Sequence, residues 1–160
     1  MLTLIAAVDN GNALGSSNKN PWYSPTDLEF FRKETIGSAL IVDRAAYTLM
    51  DTEFKQRKIL IIDPLTELPK RDEVVFRGVV DALKHCWHMT YSRVYVIGGL
   101  DLYQEMLCRA DRVLLSISKE AAADPGSVFP ALTPDEWSKS QLWLPECPVV
   151  PIITEYLRKI

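Results

Sequence analysis

The sequence predicts an α/β fold: one domain over residues 1–160, with a mostly parallel central β-sheet flanked by helices and a C-terminal antiparallel hairpin. Three observations predict it. Short β-branched runs alternate with segments of helical spacing, the pattern of strand–helix–strand units around a parallel sheet. Asp, Asn, Gly and Pro punctuate the boundaries between these segments. The last two extended segments read as a hairpin, a common antiparallel edge on such a sheet.

The elements follow in order. Leu2–Val8 is an apolar run stopped by Asp9-Asn10-Gly11, the signature of a buried strand ending in a turn. Residues 10–24 are rich in Asn, Ser, Gly and Pro and read as a long loop, which in a small domain is usually functional. Ser24-Pro25-Thr26-Asp27 starts a helix: Ser24 can cap, Pro25 suits the first turn, and Asp27 lies in the first turn. Leu28, Phe31 and Ile36 supply its apolar side. Ala39–Val42 is a short strand, Arg44–Met50 a short helix, and Lys58–Ile62 a β-branched strand ended by Asp63-Pro64. Val74–Phe76 is a brief strand and Val79–Met89 has helical spacing, with Trp87 on its core side. Arg93–Ile97 is a strand running into Gly98-Gly99, Leu102–Arg109 is helical, and Arg112–Ser118 is a strand. Phe129-Pro130 ends a loop, and 136–144 with 152–158 makes the hairpin.

Composition narrows the function classes. Hydrophobic residues make up 48% and charged residues 24% of the 160, a globular composition with enough chain for a real core. No apolar run approaches the ~20 residues of a membrane helix, so no membrane role is expected. The N-terminal run lacks a basic leader and reads as a strand. The net charge is 18 − 21 = −3, and the longest basic cluster is Lys55-Gln56-Arg57-Lys58, too short for a nucleic-acid stripe. Cys86, Cys108 and Cys147 are odd in number and widely spaced, which points to thiols in a cytoplasmic protein. His85 and His88 lie three apart on a helix without further ligands nearby, so no metal is expected. The apolar stretch 142–153 reads as a loop and final strand.

Ligands of open α/β sheets sit at the carboxyl ends of the strands, and four clusters fall there. Ile5-Ala6-Ala7 lets a flat ring approach the first strand, or simply packs the core. Leu14-Gly15, Asn20-Pro21-Trp22 and Asp27-Leu28 with Phe31 place a carboxylate in an apolar setting, or merely at a helix start where it favours the dipole. Ile97-Gly98-Gly99, between a strand and a helix, permits close backbone approach to a phosphate, though it is not the GxGxxG fingerprint. Arg57 is suited to a carboxylate through two hydrogen bonds, or is a solvated surface residue.

Taken together, the order LIAAV, LG, NPW-YSPTDLEFF, Arg57, VIGG-LDLY and a terminal Trp-containing hairpin resembles the dihydrofolate reductase family over almost the whole chain. Asp124–Pro130 and Trp137 also fit that family's late loop and hairpin. The resemblance implies reduction of 7,8-dihydrofolate to tetrahydrofolate by hydride transfer from NADPH to carbon 6, with Asp27 promoting protonation of nitrogen 5. It implies Asp27 and Trp22 as catalytic residues, Trp22 by helping to hold a water. It implies Ile5, Ala7, Leu28, Phe31, Met50, Phe54 and Ile97 as pocket lining, Ser116 as the hydroxyl bonded to Asp27, and Arg57 as the group that holds the glutamate tail. Ala7, Leu14, Gly15, Asn20, Arg44, Ala46, Gly98, Gly99, Leu100 and Tyr103 are implied on the cofactor side. A carboxylate in such a pocket should have a raised pKa, since desolvation disfavours its charge. A monomer is the family's default.

The departures from the family pattern cluster on the cofactor side. Where Gly-Arg and a later Thr are usual, this chain has Asp43-Arg44-Ala45-Ala46, which adds a charge and removes a hydroxyl. Where small hydroxyl or basic residues meet the 2′-phosphate, it has Asp63-Pro64, so NADH is a possible cofactor beside NADPH. Leu100 replaces a third glycine, Asn20 an apolar residue, and Pro125-Gly126 the usual Gly-Asp. The alternatives are a weak or inactive member with a binding or structural role, and a related reductase with changed cofactor or substrate, such as a ribosylated pyrimidine. Retention of Asp27, Trp22, Phe31 and Arg57 favours an active folate enzyme.

Overall fold

A computed structural model describes residues 1–15, 25–50, 56–65, 72–118, 127–143 and 152–160. The elements are β1 (Leu2–Val8), β2 (Ala13–Gly15), α1 (Pro25–Thr35), β3 (Ala39–Asp43), α2 (Arg44–Leu49), β4 (Lys58–Ile62), β5 (Val74–Phe76), α3 (Val79–His88), β6 (Val94–Val96), α4 (Leu100–Leu107), β7 (Arg112–Ile117), β8 (Ser127–Val128), β9 (Trp137–Trp143) and β10 (Ile152–Arg158). Eight strands form one sheet in the order β5-β4-β3-β6-β1-β7-β10-β9. From β5 to β7 every pairing is parallel, while β10 runs antiparallel to both β7 and β9. The expected mixed sheet with its terminal hairpin is therefore present.

Strand alternation divides the core between two faces. Leu4, Ala6 and Val8 of β1 join Ile41, Leu60, Val96 and Leu115 on one face, where α3 and α4 contribute Val79, Ala82, Leu83, Leu102 and Met106. Ile5 joins Leu40, Val42, Ile61, Tyr95, Ile97 and Leu114 on the other, with Phe31 of α1 and the partly buried Leu28, Ala46 and Met50. Both faces are covered, which is why the central strands read as continuous apolar runs rather than as alternating ones.

Topology singles out one crevice. The chain leaves β3 through α2 to β4 on one side, and leaves β6 through α4 to β7 on the other. The neighbours β3 and β6 therefore form a switch point, where the connections diverge and leave the strand ends uncovered.

Several boundaries differ from the sequence expectation. Ala13–Gly15, expected within a loop, forms β2 and pairs with β8, Ala13 facing Val128 and Gly15 facing Ser127. Asp9 organises the turn before it, its Oδ1 accepting from Gly11 N and Ala13 N at 2.8 Å each. Helix α4 begins at Leu100 rather than Leu102, directly at the glycine bend, and α2 stops at Leu49, with Met50 extended. Ile36 lies beyond the end of α1 and is exposed. Trp87, expected in the core, is 74% exposed, because Val79, Ala82, Leu83 and Cys86 form the buried stripe of α3.

Candidate active site

The acid sits at the start of α1. Pro25 can open a helix because its missing N–H would have no partner there, and Asp27 follows in the first turn, where a negative charge suits the helix dipole. Asp27 is 2% exposed. Its Oδ1 accepts a hydrogen bond from Ser116 Oγ, on β7. Ser116 is itself buried and lies in register with Ala7 of β1 and Ile153 of β10. The hydroxyl thus reaches the carboxylate from the middle of the sheet, and a buried carboxylate with a donor beside it is the arrangement burial demands.

Apolar side chains surround this pair on the α1 side of the sheet. Phe31 is fully buried, Ile5 and Ile97 are 2% exposed, and Ala7 follows Ile5 on the same strand face. Leu28 and Met50 pack partly buried against the same cluster. The structure therefore brings together Ile5, Ala7, Asp27, Leu28, Phe31, Met50, Ile97 and Ser116 from five different elements and their ends. Trp22, Asn20 and Phe54 lie outside the described residues.

Arg57 is anchored at the far end of α1. Its Nε donates to Thr35 Oγ1 at 2.9 Å and its Nη2 to the carbonyl of Arg32. Burial, with a smaller contribution from the nearby Arg32 charge, holds its pKa below the ordinary arginine value. An anion docking on the guanidinium would offset both effects by favouring its charged form. Thr35 was not legible as a site residue; its signal is a hydroxyl one turn after Phe31, whose carbonyl it also bonds at 2.8 Å.

The switch-point crevice holds the glycine bend. Gly98 is buried with φ +134, a conformation that favours glycine, and a Cβ there would stand 3.4 Å from Ala46 Cβ. Tyr103 is buried on the other face of the sheet and donates through its hydroxyl to Ile5 O at 2.8 Å. Burial, and then the charge of Asp43, push its pKa well above the ordinary tyrosine value, so it stays a neutral donor. Leu14 packs at the edge of that core, and Leu100 opens α4.

The lack of side chains at Gly98 and Gly99 and the small Ala46 beside them fit a dinucleotide's close approach. The polar groups are already engaged. Asp43 caps α2, its Oδ1 accepting from Ala46 N at 2.7 Å, and its Oδ2 accepts from Gly99 N at 2.7 Å. Arg44 donates to Asp63 Oδ2 and Glu73 Oε1, both at 2.9 Å, and these bonds raise its pKa well above the ordinary arginine value. Glu73 carried no sequence signal, since it lies in another loop, 29 residues from Arg44. Among the described residues no group of three or more His, Cys, Asp or Glu is placed to hold a metal ion, and no helix is long and apolar enough to cross a membrane.

The family model for dihydrofolate reductase matches residues 1–142. A dihydrofolate reductase of Buchnera aphidicola subsp. Schizaphis graminum is 32% identical over 117 residues, covering 72% of this chain and 70% of the relative. That of Haemophilus influenzae is 25% identical over 135 residues, covering 84% and 82%. The solved structure of the Enterococcus faecalis dihydrofolate reductase, complexed with NADP(H) and RAB-propyl, superposes with a TM-score of 0.79 at 24% identity, over 100% of this chain and 97% of that one. This last likeness establishes the fold.

Proposed function

The chain belongs to the dihydrofolate reductase family, and from that premise we propose that the site around Asp27 reduces 7,8-dihydrofolate to tetrahydrofolate with NADPH. The protein is an NADPH-dependent oxidoreductase that binds a small-molecule substrate. The observation that carries the reading is the buried Asp27–Ser116 pair, on the sheet face whose apolar cluster holds Ile5 and Phe31 with Leu28 packed against them. A planar, hydrogen-bonding heterocycle suits that combination: apolar faces for the ring and one acceptor group for its polar edge.

In the proposed mechanism the Asp27 carboxylate accepts hydrogen bonds from the ring nitrogen and amino group of the pterin and so fixes its orientation. Ser116 holds the carboxylate in place. Its negative field, in surroundings of low polarity, favours gain of a proton at nitrogen 5. When bound, NADPH would supply the hydride for carbon 6. Gly98, Gly99, Ala46, Leu14, Gly15, Leu100 and Tyr103 would hold that cofactor, and Arg57, oriented by Thr35, would hold the carboxylate of the substrate's glutamate tail. Asn20 and Trp22 would complete the cofactor side and the proton path, and Phe54 the tail channel. A monomer in the cytoplasm accords with the reading. Use of NADH beside NADPH is favoured by one observation, the engagement of Arg44 with Asp63 and Glu73.

The pH dependence of turnover tests the role of Asp27. With dihydrofolate and NADPH the wild-type rate should fall as pH rises, because the proton for nitrogen 5 becomes scarcer. Asp27→Asn should lower kcat by roughly 10²–10⁴-fold, the usual scale for a group assisting proton transfer. An Asp27→Asn profile that overlays the wild type in height and shape would remove Asp27 from the mechanism.

A further inference from the structure

The crevice between the carboxyl ends of β3 and β6 already contains an anion that belongs to the chain. The Asp43 side chain spans it, with one oxygen on Ala46 N and the other on Gly99 N, each at 2.7 Å. The backbone reinforces the bridge: Asp43 N donates to Gly98 O at 3.0 Å, and Ile97 N to Ile41 O at 3.0 Å. Gly99 has the matching shape. A Cβ on Gly99 would stand 2.7 Å from Asp43 Oδ2, so the absence of a side chain at 99 opens the volume that the carboxylate fills.

The position matters because of what the fold does there. Divergent connections make the β3–β6 edge the place where an open α/β sheet takes its ligand. Backbone N–H groups at a glycine bend are the donors that a phosphate oxygen accepts from. The Ala46 and Gly99 amides are such donors, and a carboxylate has the charge and the two acceptor oxygens to take both.

We propose that Asp43 is an internal competitor for the cofactor's diphosphate and sets the dinucleotide affinity of this chain. Resting on the reading of this crevice as the dinucleotide site, the inference has a definite consequence. A diphosphate reaches these two amides only when the Asp43 side chain turns away, and it meets the carboxylate's repulsion when it does not. The diphosphate is common to NADPH and NADH, so Asp43 weakens both by the same factor. It therefore acts separately from any contact to the 2′-phosphate, the group that NADPH carries and NADH lacks.

The test is calorimetric titration of NADPH and of NADH into the wild type and into Asp43→Asn, Asp43→Ser and Asp101→Asn. Asn and Ser both cap helices well, so α2 keeps its cap while the charge goes, and thermal melts check that each variant is folded. Asp101 is an exposed acid in the first turn of α4 and controls for charge in the neighbourhood. The expected result is at least tenfold tighter binding of both dinucleotides in the two Asp43 variants, by matching factors, with Asp101→Asn within twofold of the wild type. Unchanged affinity in the folded Asp43 variants, or an equal gain in Asp101→Asn, would overturn the role of Asp43 and leave the cofactor reading intact. Absence of dinucleotide binding in all four folded proteins would overturn the cofactor reading and the proposal with it.

Discussion

Asp27 and Ser116 are the residues on which the account turns, and their bond spans 89 positions of sequence. A buried carboxylate is costly unless its oxygens are satisfied, so the hydroxyl at 116 has a structural role beside the positioning role proposed for it. Ser116→Ala is expected to lower stability by roughly 1.5–3 kcal/mol, the range for a hydrogen bond to a charged group, as read from denaturant melts, and to lower kcat. Ser116→Thr keeps the hydroxyl and should restore much of the turnover, which a purely packing role at this position would not predict. At Phe31, fully buried between α1 and the sheet, replacement by Ala should cost about 3–5 kcal/mol.

At the scale of elements, the strands were the most legible part, because burial on both faces writes them as runs such as Leu2–Val8 and Lys58–Ile62. Helix α1 was legible from Pro25 and Asp27, and the glycine bend from Gly98-Gly99. What the sequence hid depends on partners distant along the chain. The strand Ala13–Gly15 exists only because Ser127–Val128 lies beside it, and three residues have no periodicity to read. Hydrophobicity alone places Trp87 in the core, yet the helical stripe Val79, Ala82, Leu83 and Cys86 turns it to solvent. Its replacement by Gln should therefore change stability by no more than about 0.5 kcal/mol. The Arg44–Asp63–Glu73 group, which ties the start of α2 to the end of β4 and the approach to β5, is half legible: Asp63 stands out as an unexpected acid, while Glu73 gives no signal. Asp43 was likewise legible as a misplaced charge, while its grip on two amides from separate connections was not.

For the whole molecule, the titration of buried groups predicts a direction for stability at high pH. Burial raises the pKa of Cys86, of Tyr95 and of Tyr103 above their ordinary values. A group whose folded pKa is raised contributes stability that is complete below its unfolded pKa and is lost as pH rises toward the folded one. The unfolded values are 9.0 for the thiol and 10.0 for the phenols, so the protein should lose stability progressively above about pH 9. Tyr103→Phe should flatten the steeper part of that loss, above about pH 10, in denaturant melts run as a pH series.

We propose that hydride passes to a reduced pterin held against Asp27. It is tested most directly with dihydrofolate and a reduced nicotinamide cofactor carrying deuterium at the transferable position, the product being analysed by mass and by the site of the label. The expected product is tetrahydrofolate with one deuterium at carbon 6, formed by the wild type and largely lost in Asp27→Asn. A folded wild-type protein that yields no tetrahydrofolate, or yields it at the same rate without Asp27, would contradict it.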